Sequence, residues 1–493
     1  MNISETKSFG LFITVWVGQF ISCIGNGLTA FTLGVYAFDK TQSAIVYSLI
    51  ILFAFLPSYL LKPIGGYLSD RFDRRLMMII GDFGSAMGLV FILLMFAAGN
   101  HELWVIYLGV ALSSVFTALQ NPAYKASVTD LVDESAFSKA SGLMQLAESS
   151  RFLISPVIAG FLILACPIEK ILMIDIATFL IAVASVYAVK KKIINTKTSQ
   201  KENIFEGIKA GFRYIFAKKN LVWLLFLTTL ITFAVGFLQS LMGPMILAFT
   251  DAKMLGLTQS VSASGMIVSS LLIGLFSRTN KQLRILSYSL AFTGLFYALF
   301  GASTNIIFIT IAGFFFFTTL PFVNTSLDVL IRKNVDNDVQ ARVWSIVSLV
   351  SQMGMVIAFS TSGFLADKVF NPLLMPDGTL ASSAGKLIGT GAGRGIGLMF
   401  VLSGTLILIT AYVIVNNKPV QTLEKRSHPS KIKFCSKKWE LEISPLRDSF
   451  RLTKKTNSHG KVNAFFPNHQ PYTPAYILRY RKEVQRGQVQ QGD

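Results

Sequence analysis

About twelve long apolar runs follow one another along this chain of 493 residues, and they limit its possible folds more than any other feature. A helix needs about 20 mostly apolar residues to cross a bilayer. Such runs lie near residues 9–38, 44–68, 76–98, 103–120, 138–164, 168–189, 220–249, 258–277, 283–301, 305–331, 341–365 and 395–416. Because lipid offers no hydrogen-bond partner to an exposed backbone group, these runs are predicted to be helices. The predicted fold class is an all-α integral membrane protein.

Composition supports this prediction and removes several other classes. Only 14% of the residues are charged, whereas a soluble globular protein carries about 25%. The net charge of +19 would by itself suggest nucleic acid or anionic lipid as a partner. However, the basic residues lie in loops between apolar runs and after residue 417, so we interpret them as topology signals and expect no nucleic-acid partner. The three cysteines and four histidines are too scattered for a disulfide framework or a metal site.

Predicted loops that are rich in lysine and arginine alternate along the chain with loops that contain few of them. They cluster after spans 2, 4, 6, 8 and 10, as in "DRFDRR" at 70–75 and "KKK" at 190–192, and are scarce in the intervening loops. The positive-inside rule then places these loops and both termini in the cytoplasm. We expect a multi-pass protein of the cell membrane whose first apolar run is retained rather than cleaved.

The longest polar interruption, residues 190–219, divides the helical region into a six-span half at 1–189 and a second at 220–417. Two six-helix repeats joined by a basic cytoplasmic linker are typical of secondary transporters. Residues 418–493 are polar and basic. We predict a cytoplasmic tail there that is disordered or lies on anionic lipid.

A glycine-rich stretch at 382–397, "SSAGKLIGTGAGRGIG", does not meet the requirements of a phosphate-binding loop. A Walker A loop needs a glycine and a serine or threonine at the positions that Leu380 and Leu387 occupy here. The dinucleotide fingerprint fails too, and the spans contain no Ser/His/Asp arrangement or metal-ligand cluster. We therefore expect no cofactor, no ATP-driven transport and no enzymatic activity.

Polar residues recur at helical spacing on predicted spans 1, 4, 7 and 10. These candidate cavity-lining residues are Gln19, Ser22, Asn26, Thr29, Ser113, Thr117, Gln120, Thr228, Thr232, Gln239 and Asn324. Interhelical hydrogen bonding is the alternative explanation of such faces. Their occurrence on every third span of each half favours a cavity between two repeats.

Charged residues within spans are candidates for proton coupling, because a central charge costs about 2.5–3.5 kcal/mol on insertion scales and needs a partner or a role. The candidates are Glu148 and Arg151 on span 5, Asp175 on span 6 and Asp328 on span 10. A carboxylate balanced between poor solvation and a nearby arginine can bind and release a proton. Alternatively, Glu148 and Arg151 form a neutralising structural pair. Asp82 of span 3 and Lys62 of span 2 rank lower, because we place them near the membrane surface.

The stretch "GYLSDRFDRR" resembles the signature of the major facilitator superfamily between its second and third helices, Gly-x-Leu-Ala-Asp-Arg-x-Gly-Arg-Arg. The matching residues are Gly66, Leu68, Asp70, Arg71, Arg74 and Arg75, whereas Ser69 and Asp73 depart from it. The stretches "WVGQFISCIGNGL", "QNPAYKASVTDLV", "MIDIATF" and "VQARVWSIVSLV" resemble the macrolide-efflux-like branch of drug:proton antiporters. The similarity covers roughly residues 9–425 and implies twelve helices in the major facilitator fold.

The resemblance also implies roles for single residues. Asp70 would pair with Arg74 and approach the start of span 11 near Arg342, with Gly66 allowing the close approach. These contacts would close the inner side, so the candidate gate comprises Gly66, Asp70, Arg71, Arg74, Arg75 and Arg342. In span 5, Pro156 and Gly160 fit the antiporter signature that lets the helix bend. The arginine that many drug antiporters carry in span 4 is missing here, and Arg151 is the candidate substitute.

Together these features predict a transporter that exports small amphipathic, macrolide- or drug-like compounds in exchange for protons by alternating access. Two alternatives remain open: export of an endogenous siderophore, lipopeptide or other natural product, and a membrane sensor or assembly subunit that does not transport. The expected partners are a small-molecule substrate, protons and the lipid bilayer. A monomer is our expectation, although the sequence does not determine the oligomeric state.

Overall fold

The computed structural model describes residues 9–190, 212–276, 282–335, 339–416, 439–444 and 449–454. Within these residues, 12 helical segments are long and apolar enough to cross a membrane, which confirms the predicted class. They are span 1 (Phe9–Thr41), span 2 (Ala44–Arg71), span 3 (Arg74–Ala97), span 4 (Leu103–Leu131), span 5 (Phe137–Leu153 and Ser155–Ala165), span 6 (Ile168–Lys190), span 7 (Lys219–Leu247), span 8 (Ala252–Phe276), span 9 (Gln282–Ala302), span 10 (Ile306–Asn334), span 11 (Gln340–Phe364) and span 12 (Arg394–Asn416).

Shorter elements connect these spans. A 3₁₀ turn at Glu134–Ala136 precedes span 5, and span 11 continues as a π-helical segment, Leu365–Phe370, followed by Asn371–Leu373 and Gly385–Ile388. In the predicted linker, residues 212–216 are helical, and the rest of the linker lies outside the described residues.

The helix ends follow from local capping chemistry. Ser43 accepts a hydrogen bond from the Val46 amide at the start of span 2. Asp73 does the same for the Arg75 amide at the start of span 3. Between these helices Phe72 is extended (φ −106°, ψ 170°), so "DRFDRR" is a tight turn and not one continuous helix.

The two halves repeat the same set of helix contacts. In the first half, span 4 packs against spans 2 and 3, span 3 against span 6, and span 1 against span 5. In the second half, span 10 packs against spans 8 and 9, span 9 against span 12, and span 7 against span 11. Adding six to each span number converts the first set into the second, as expected of two internal repeats.

The outer surface of the bundle carries large apolar side chains, among them Leu94, Leu164 and Leu271, all more than 60% exposed. Lipid is the environment in which such a surface is stable. Inside the second half, Tyr297, Phe300, Phe316 and Phe400 are almost fully buried. The Tyr297 hydroxyl donates to the Ala234 carbonyl (2.9 Å), which ties span 9 to span 7.

The glycine-rich stretch forms the turn into span 12. Gly389, Gly391 and Gly393 have φ of 93°, 113° and 75°, a region that other residues rarely adopt. The next residue, Arg394, is buried and donates to the Gly301 carbonyl (2.8 Å) and the Ser303 carbonyl (3.1 Å) at the end of span 9. A cation is favourable at a helix C-terminus, so this stretch has a structural explanation.

In the tail, strands β1 (Trp439–Ser444) and β2 (Ser449–Lys454) form an antiparallel pair, with Leu441 opposite Leu452 and Ile443 opposite Phe450. The prediction of a disordered or lipid-bound tail stays a prediction. The rest of the predicted tail lies outside the described residues.

Candidate functional site

The two halves meet at one end of the bundle. We call the end that carries the 66–75 turn the basic end, and the opposite end the distal end. At the distal end, the Asp367 carboxylate of the π-helical segment accepts hydrogen bonds from the Ser43 hydroxyl (2.7 Å), the Ala44 amide (3.2 Å) and the Ile45 amide (3.0 Å). The carboxylate therefore occupies the positive N-terminus of span 2 and joins it to span 11.

Small residues permit close backbone contact on the same side of the molecule. A Cβ on Gly363 of span 11 would lie 2.6 Å from the Ala44 carbonyl oxygen of span 2. A Cβ on Gly256 of span 8 would lie 2.2 Å from the Pro156 carbonyl oxygen of span 5, and one on Gly160 would lie 2.8 Å from the Ala252 carbonyl oxygen. Spans 2 and 5 of the first half thus pack tightly against spans 11 and 8 of the second.

The same helices separate toward the basic end. A Cβ built on Gly66 would meet nothing within 4 Å. Asp70 is exposed, and so are the apolar side chains of Leu60, Ile64 and Tyr67 on span 2. The molecule is therefore closed at the distal end and open at the basic end.

The candidate gate at the basic end is only partly assembled in this conformation. The Arg74 guanidinium donates to the Ala126 carbonyl (2.9 Å) and forms an ion pair with Asp130 (3.2 Å) at the end of span 4. The expected Asp70–Arg74 pair is not formed, because the turn at Phe72 places the two residues on different helices. Arg71 donates to the Tyr67 hydroxyl (3.2 Å), Arg75 is buried, and the Arg342 side chain lies outside the described residues.

Span 5 is interrupted at the antiporter-like signature. Its first helix ends at Leu153, its second begins at Ser155, and Pro156 lies in the first turn of the second helix, where the missing amide hydrogen costs no hydrogen bond. The Ser155 hydroxyl donates to the Ile24 carbonyl of span 1 (2.9 Å). The interruption therefore lies where span 5 contacts both span 1 and span 8.

The predicted polar face of span 1 is mostly buried against neighbouring helices. The Gln19 amide donates to Asp82 Oδ2 of span 3 (2.7 Å), and the Gln120 amide of span 4 donates to Gln19 Oε1 (2.6 Å). The Thr29 hydroxyl donates to Asp175 Oδ2 of span 6 (2.5 Å). For Gln19, Gln120 and Thr29 the structure thus shows interhelical hydrogen bonds in place of the expected cavity lining.

The other predicted lining residues of the first half differ in exposure. Ser22 is buried and its carbonyl accepts from Asn26, which is half-buried. On span 4, Ser113 and Thr117 are half-buried, and the Thr117 hydroxyl donates to the Ser113 carbonyl (3.0 Å).

Asp82 is 2% exposed and lies among spans 1, 3 and 4, an enclosure that its position in the sequence did not predict. The helical spacing of Gly81, Gly84 and Gly88 was the available signal, because these glycines let span 3 approach span 4 closely and enclose the carboxylate.

Glu148 and Arg151 do not form the structural pair considered above. No hydrogen bond or ion pair joins them in the described part of the chain, where Glu148 is exposed and Arg151 half-buried. Glu148 interacts electrostatically with Cys23 of span 1 and Lys62 of span 2. Arg151 interacts electrostatically with Asp175 of span 6.

The second half contains a cavity of about 410 Å³ between spans 7, 10 and 11. Its lining residues are Thr228, Asn324, Thr325, Leu327, Asp328, Ile331, Trp344 and Val347. The Asp328 carboxylate accepts from Arg332 Nε (2.8 Å), and the Arg332 guanidinium lies 5.4 Å from the centre of the Trp344 ring. Apolar walls with an aromatic ring and a carboxylate form a site for an amphipathic cation.

Two expected lining residues of span 7 lie outside this cavity. The Thr232 hydroxyl donates to the Ser351 carbonyl of span 11, and Gln239 is half-buried nearer the distal end of the span. Among the described residues, no group of three or more His, Cys, Asp or Glu side chains could hold a metal ion.

The sequence matches the profile of the Major Facilitator Superfamily over residues 15–359, about two thirds of the chain. The chain belongs to the major facilitator superfamily. The predicted twelve-helix fold is therefore confirmed, and this family consists of secondary transporters and not of enzymes. The chain is a multi-pass membrane protein that acts on a small-molecule substrate.

Macrolide efflux protein A of Streptococcus pyogenes is 26% identical over 414 residues, which are 82% of this chain and 94% of that protein. Multidrug resistance protein 1 of Bacillus subtilis is 24% identical over 291 residues, covering 58% of this chain and 72% of that protein. The crystal structure of the nucleoside transporter NupG superposes with a TM-score of 0.65 at 14% identity, covering 83% of this chain and 100% of the other. That likeness shows the fold alone.

Proposed function

We propose that this superfamily member exports amphipathic, macrolide- or drug-like compounds in exchange for protons. The observation that carries the proposal is the opening between the halves at the basic end, together with a cavity of the second half lined by Asp328 and Trp344. The similarity to macrolide efflux protein A along most of both chains supports this substrate class.

In the proposed orientation, the basic end and both termini lie in the cytoplasm. The structure then represents the state that takes up substrate from inside the cell. Closure of the basic end, with Asp70 approaching the start of span 11 and Gly66 permitting close contact, produces the state that releases substrate outside. Asp367 and the N-terminus of span 2 must separate in that step, because their contact holds the distal end shut.

Proton coupling is assigned to carboxylates within the spans. Glu148 is exposed on span 5. Asp175 is fully buried beside Arg151, and Asp328 lines the cavity of the second half. A proton bound at any of these groups while the distal end is open, and released while the basic end is open, would couple the cycle to the proton gradient.

The experiment that tests this function is a susceptibility and accumulation panel in a host cell lacking its own efflux pumps. Cells expressing the protein should accumulate less radiolabelled erythromycin, a macrolide, and a protonophore should restore accumulation. The Asp70→Asn variant, expressed to the same level, serves as the inactive control. Equal accumulation with and without the protein across macrolides and cationic dyes would overturn drug export.

A further inference from the structure

Two carboxylates are completely enclosed in the first half, and they differ in one respect. Asp175 is 0% exposed, accepts from the Thr29 and Thr178 hydroxyls, and interacts with the positive charge of Arg151. Asp82 is 2% exposed and accepts from the neutral Gln19 amide alone among the described residues. Asp175 therefore has a neighbouring cation that can balance its charge, and Asp82 has none.

The groups that face Asp82 are all neutral or acidic. Gln19 on span 1 and Gln120 on span 4 are uncharged, and the titratable side chains near it are the Cys23 thiol and the Tyr124 hydroxyl. Among the described residues of spans 2 and 6, no charged group forms an ion pair or hydrogen bond with Asp82. An ionised carboxylate enclosed in this way would be an unbalanced buried charge, which is strongly unfavourable.

A second observation connects Asp82 with the opening. Tyr124 is only 7% exposed, so water does not reach its hydroxyl freely. This hydroxyl nevertheless has no hydrogen-bond partner among the described residues. Tyr124 lies one turn from Gln120 on span 4 and packs in one buried cluster with Met78, one turn from Asp82 on span 3, and Glu148 of span 5 is exposed. A buried hydroxyl without a partner is unusual in a stable protein and is suited to bind a transient water or proton.

We propose that Asp82 stores the transported proton in the conformation open at the basic end, and that Tyr124 and Glu148 conduct this proton to the opening. The Asp82 O–H bond breaks, the proton passes by way of the Tyr124 hydroxyl and cavity water, and it leaves as hydrated proton at the basic end. The negative charge then left on Asp82 is stabilised by rearrangement of Gln19 and Gln120, which join spans 1, 3 and 4. Because these bonds tie three helices together, loss of the proton alters how they pack.

This inference rests on the proposed proton antiport, and its first test needs no substrate. Infrared spectra of the full-length protein in lipid nanodiscs at neutral pH should contain the carbonyl band of a protonated carboxyl group. Asp82→Asn should remove this band, Asp82→Glu should move it, and Asp175→Asn should leave it in place. A band that persists in Asp82→Asn, or disappears only in Asp175→Asn, overturns the assignment.

The second test measures coupling in proteoliposomes with radiolabelled erythromycin. Asp82→Asn should retain exchange of labelled for unlabelled compound. Its uptake driven by an imposed pH gradient should fall by about tenfold or more relative to the unmodified protein. The matched control is Ser85→Ala, an equally buried position one turn along span 3, which should retain both activities. A gradient response in Asp82→Asn equal to that of the unmodified protein overturns the role of Asp82.

The two levels of inference fail in different ways. If the unmodified protein exchanges erythromycin but ignores the pH gradient, proton antiport itself is wrong, and the coupling role of Asp82 is wrong with it. If the unmodified protein responds to the gradient and Asp82→Asn responds equally, only the assignment to Asp82 is wrong.

Discussion

The Asp367 carboxylate accepts a hydrogen bond from the Ser43 hydroxyl (2.7 Å) across the boundary between the two halves. It also accepts from two backbone amides at the start of span 2. Asp70 lies at the opposite end of span 2, and the family resemblance places it near the start of span 11. Spans 2 and 11 thus each carry an aspartate at their C-terminal end that can contact the N-terminus of the other span. Asp70 of span 2 can do so at the basic end, and Asp367, which follows span 11, does so at the distal end. Of these two contacts, the described residues show the distal one.

Replacing Asp367 should therefore favour opening of the distal end. In Asp367→Asn the amide group cannot accept from all three donors, and loss of one charge-assisted bond is worth about 1.5–3 kcal/mol. Distances between spin labels at the distal ends of spans 2 and 11 should shift toward the separated population by about tenfold or more. Lys368→Gln, on the adjacent position, is the control, and an unchanged distance distribution would show that the contact does not hold this end closed.

Two neighbouring glycines should respond differently to the same substitution. Gly65→Ala places a Cβ 1.9 Å from the Ala118 carbonyl oxygen of span 4, so this variant should be poorly folded or markedly less stable. Gly66→Ala meets nothing within 4 Å in this conformation and should keep the melting temperature of the parent protein.

If Gly66 approaches span 11 when the basic end closes, Gly66→Ala should nevertheless reduce erythromycin export. Melting temperature and transport should be measured on the same preparations of both variants. Full transport by Gly66→Ala would remove Gly66 from the gate.

The ion pair between Arg74 and Asp130 should stabilise the turn between spans 2 and 3. Both side chains are largely shielded from solvent, with 17% and 13% exposed, and Arg74 also bonds the Ala126 carbonyl. A double-mutant cycle with Arg74→Gln and Asp130→Asn should give an interaction energy of about 1 kcal/mol or more in thermal unfolding. Additive effects of the two substitutions would mean that the pair contributes no stability.

Glu148 should be required for coupling but not for substrate movement. Glu148→Gln keeps the shape of the side chain and cannot transfer a proton, so uphill export should be lost while downhill exchange persists. Glu169→Gln, at the distal start of span 6, is a matched carboxylate control. Uphill export that survives Glu148→Gln would make Glu148 a structural residue.

Asp328 should select for positively charged substrates. In this structure Arg332 donates to the Asp328 carboxylate and lies over the Trp344 ring, the position expected for the cationic group of a substrate. Asp328→Asn should weaken binding of a cationic macrolide by about two- to fivefold, the range of an exposed charge pair. Arg332→Gln should strengthen it. Binding of an uncharged amphipathic compound should change little in either variant, and equal losses for both compounds would mean that Asp328 acts only on the shape of the cavity.

Local patterns in the sequence were sufficient for the membrane class, the number of spans and the family. Apolar length and backbone desolvation act within each segment, so a run such as 44–68 predicts a spanning helix without knowledge of its neighbours. Gln19 and Thr29, which helical spacing predicted to share one polar face of span 1, are both buried.

Contacts between segments needed the tertiary structure. Spacing on span 1 could not show whether Gln19 faces a cavity or Asp82, because that depends on how close span 3 lies. The family resemblance implied a pair of Asp70 and Arg74, but the turn at Phe72 breaks the helix between them, and Arg74 pairs with Asp130.

The sequence by itself determined which segments enter the membrane and that they form two repeats of a major facilitator transporter. The tertiary structure decided which end is closed and which carboxylates have partners. The physical reason is that the same sequence must be compatible with the open and with the closed conformation at each end of the molecule, so the sequence does not select between them. Only a particular packing of spans 2 and 11 selects Asp367 rather than Asp70 as the contact between the halves.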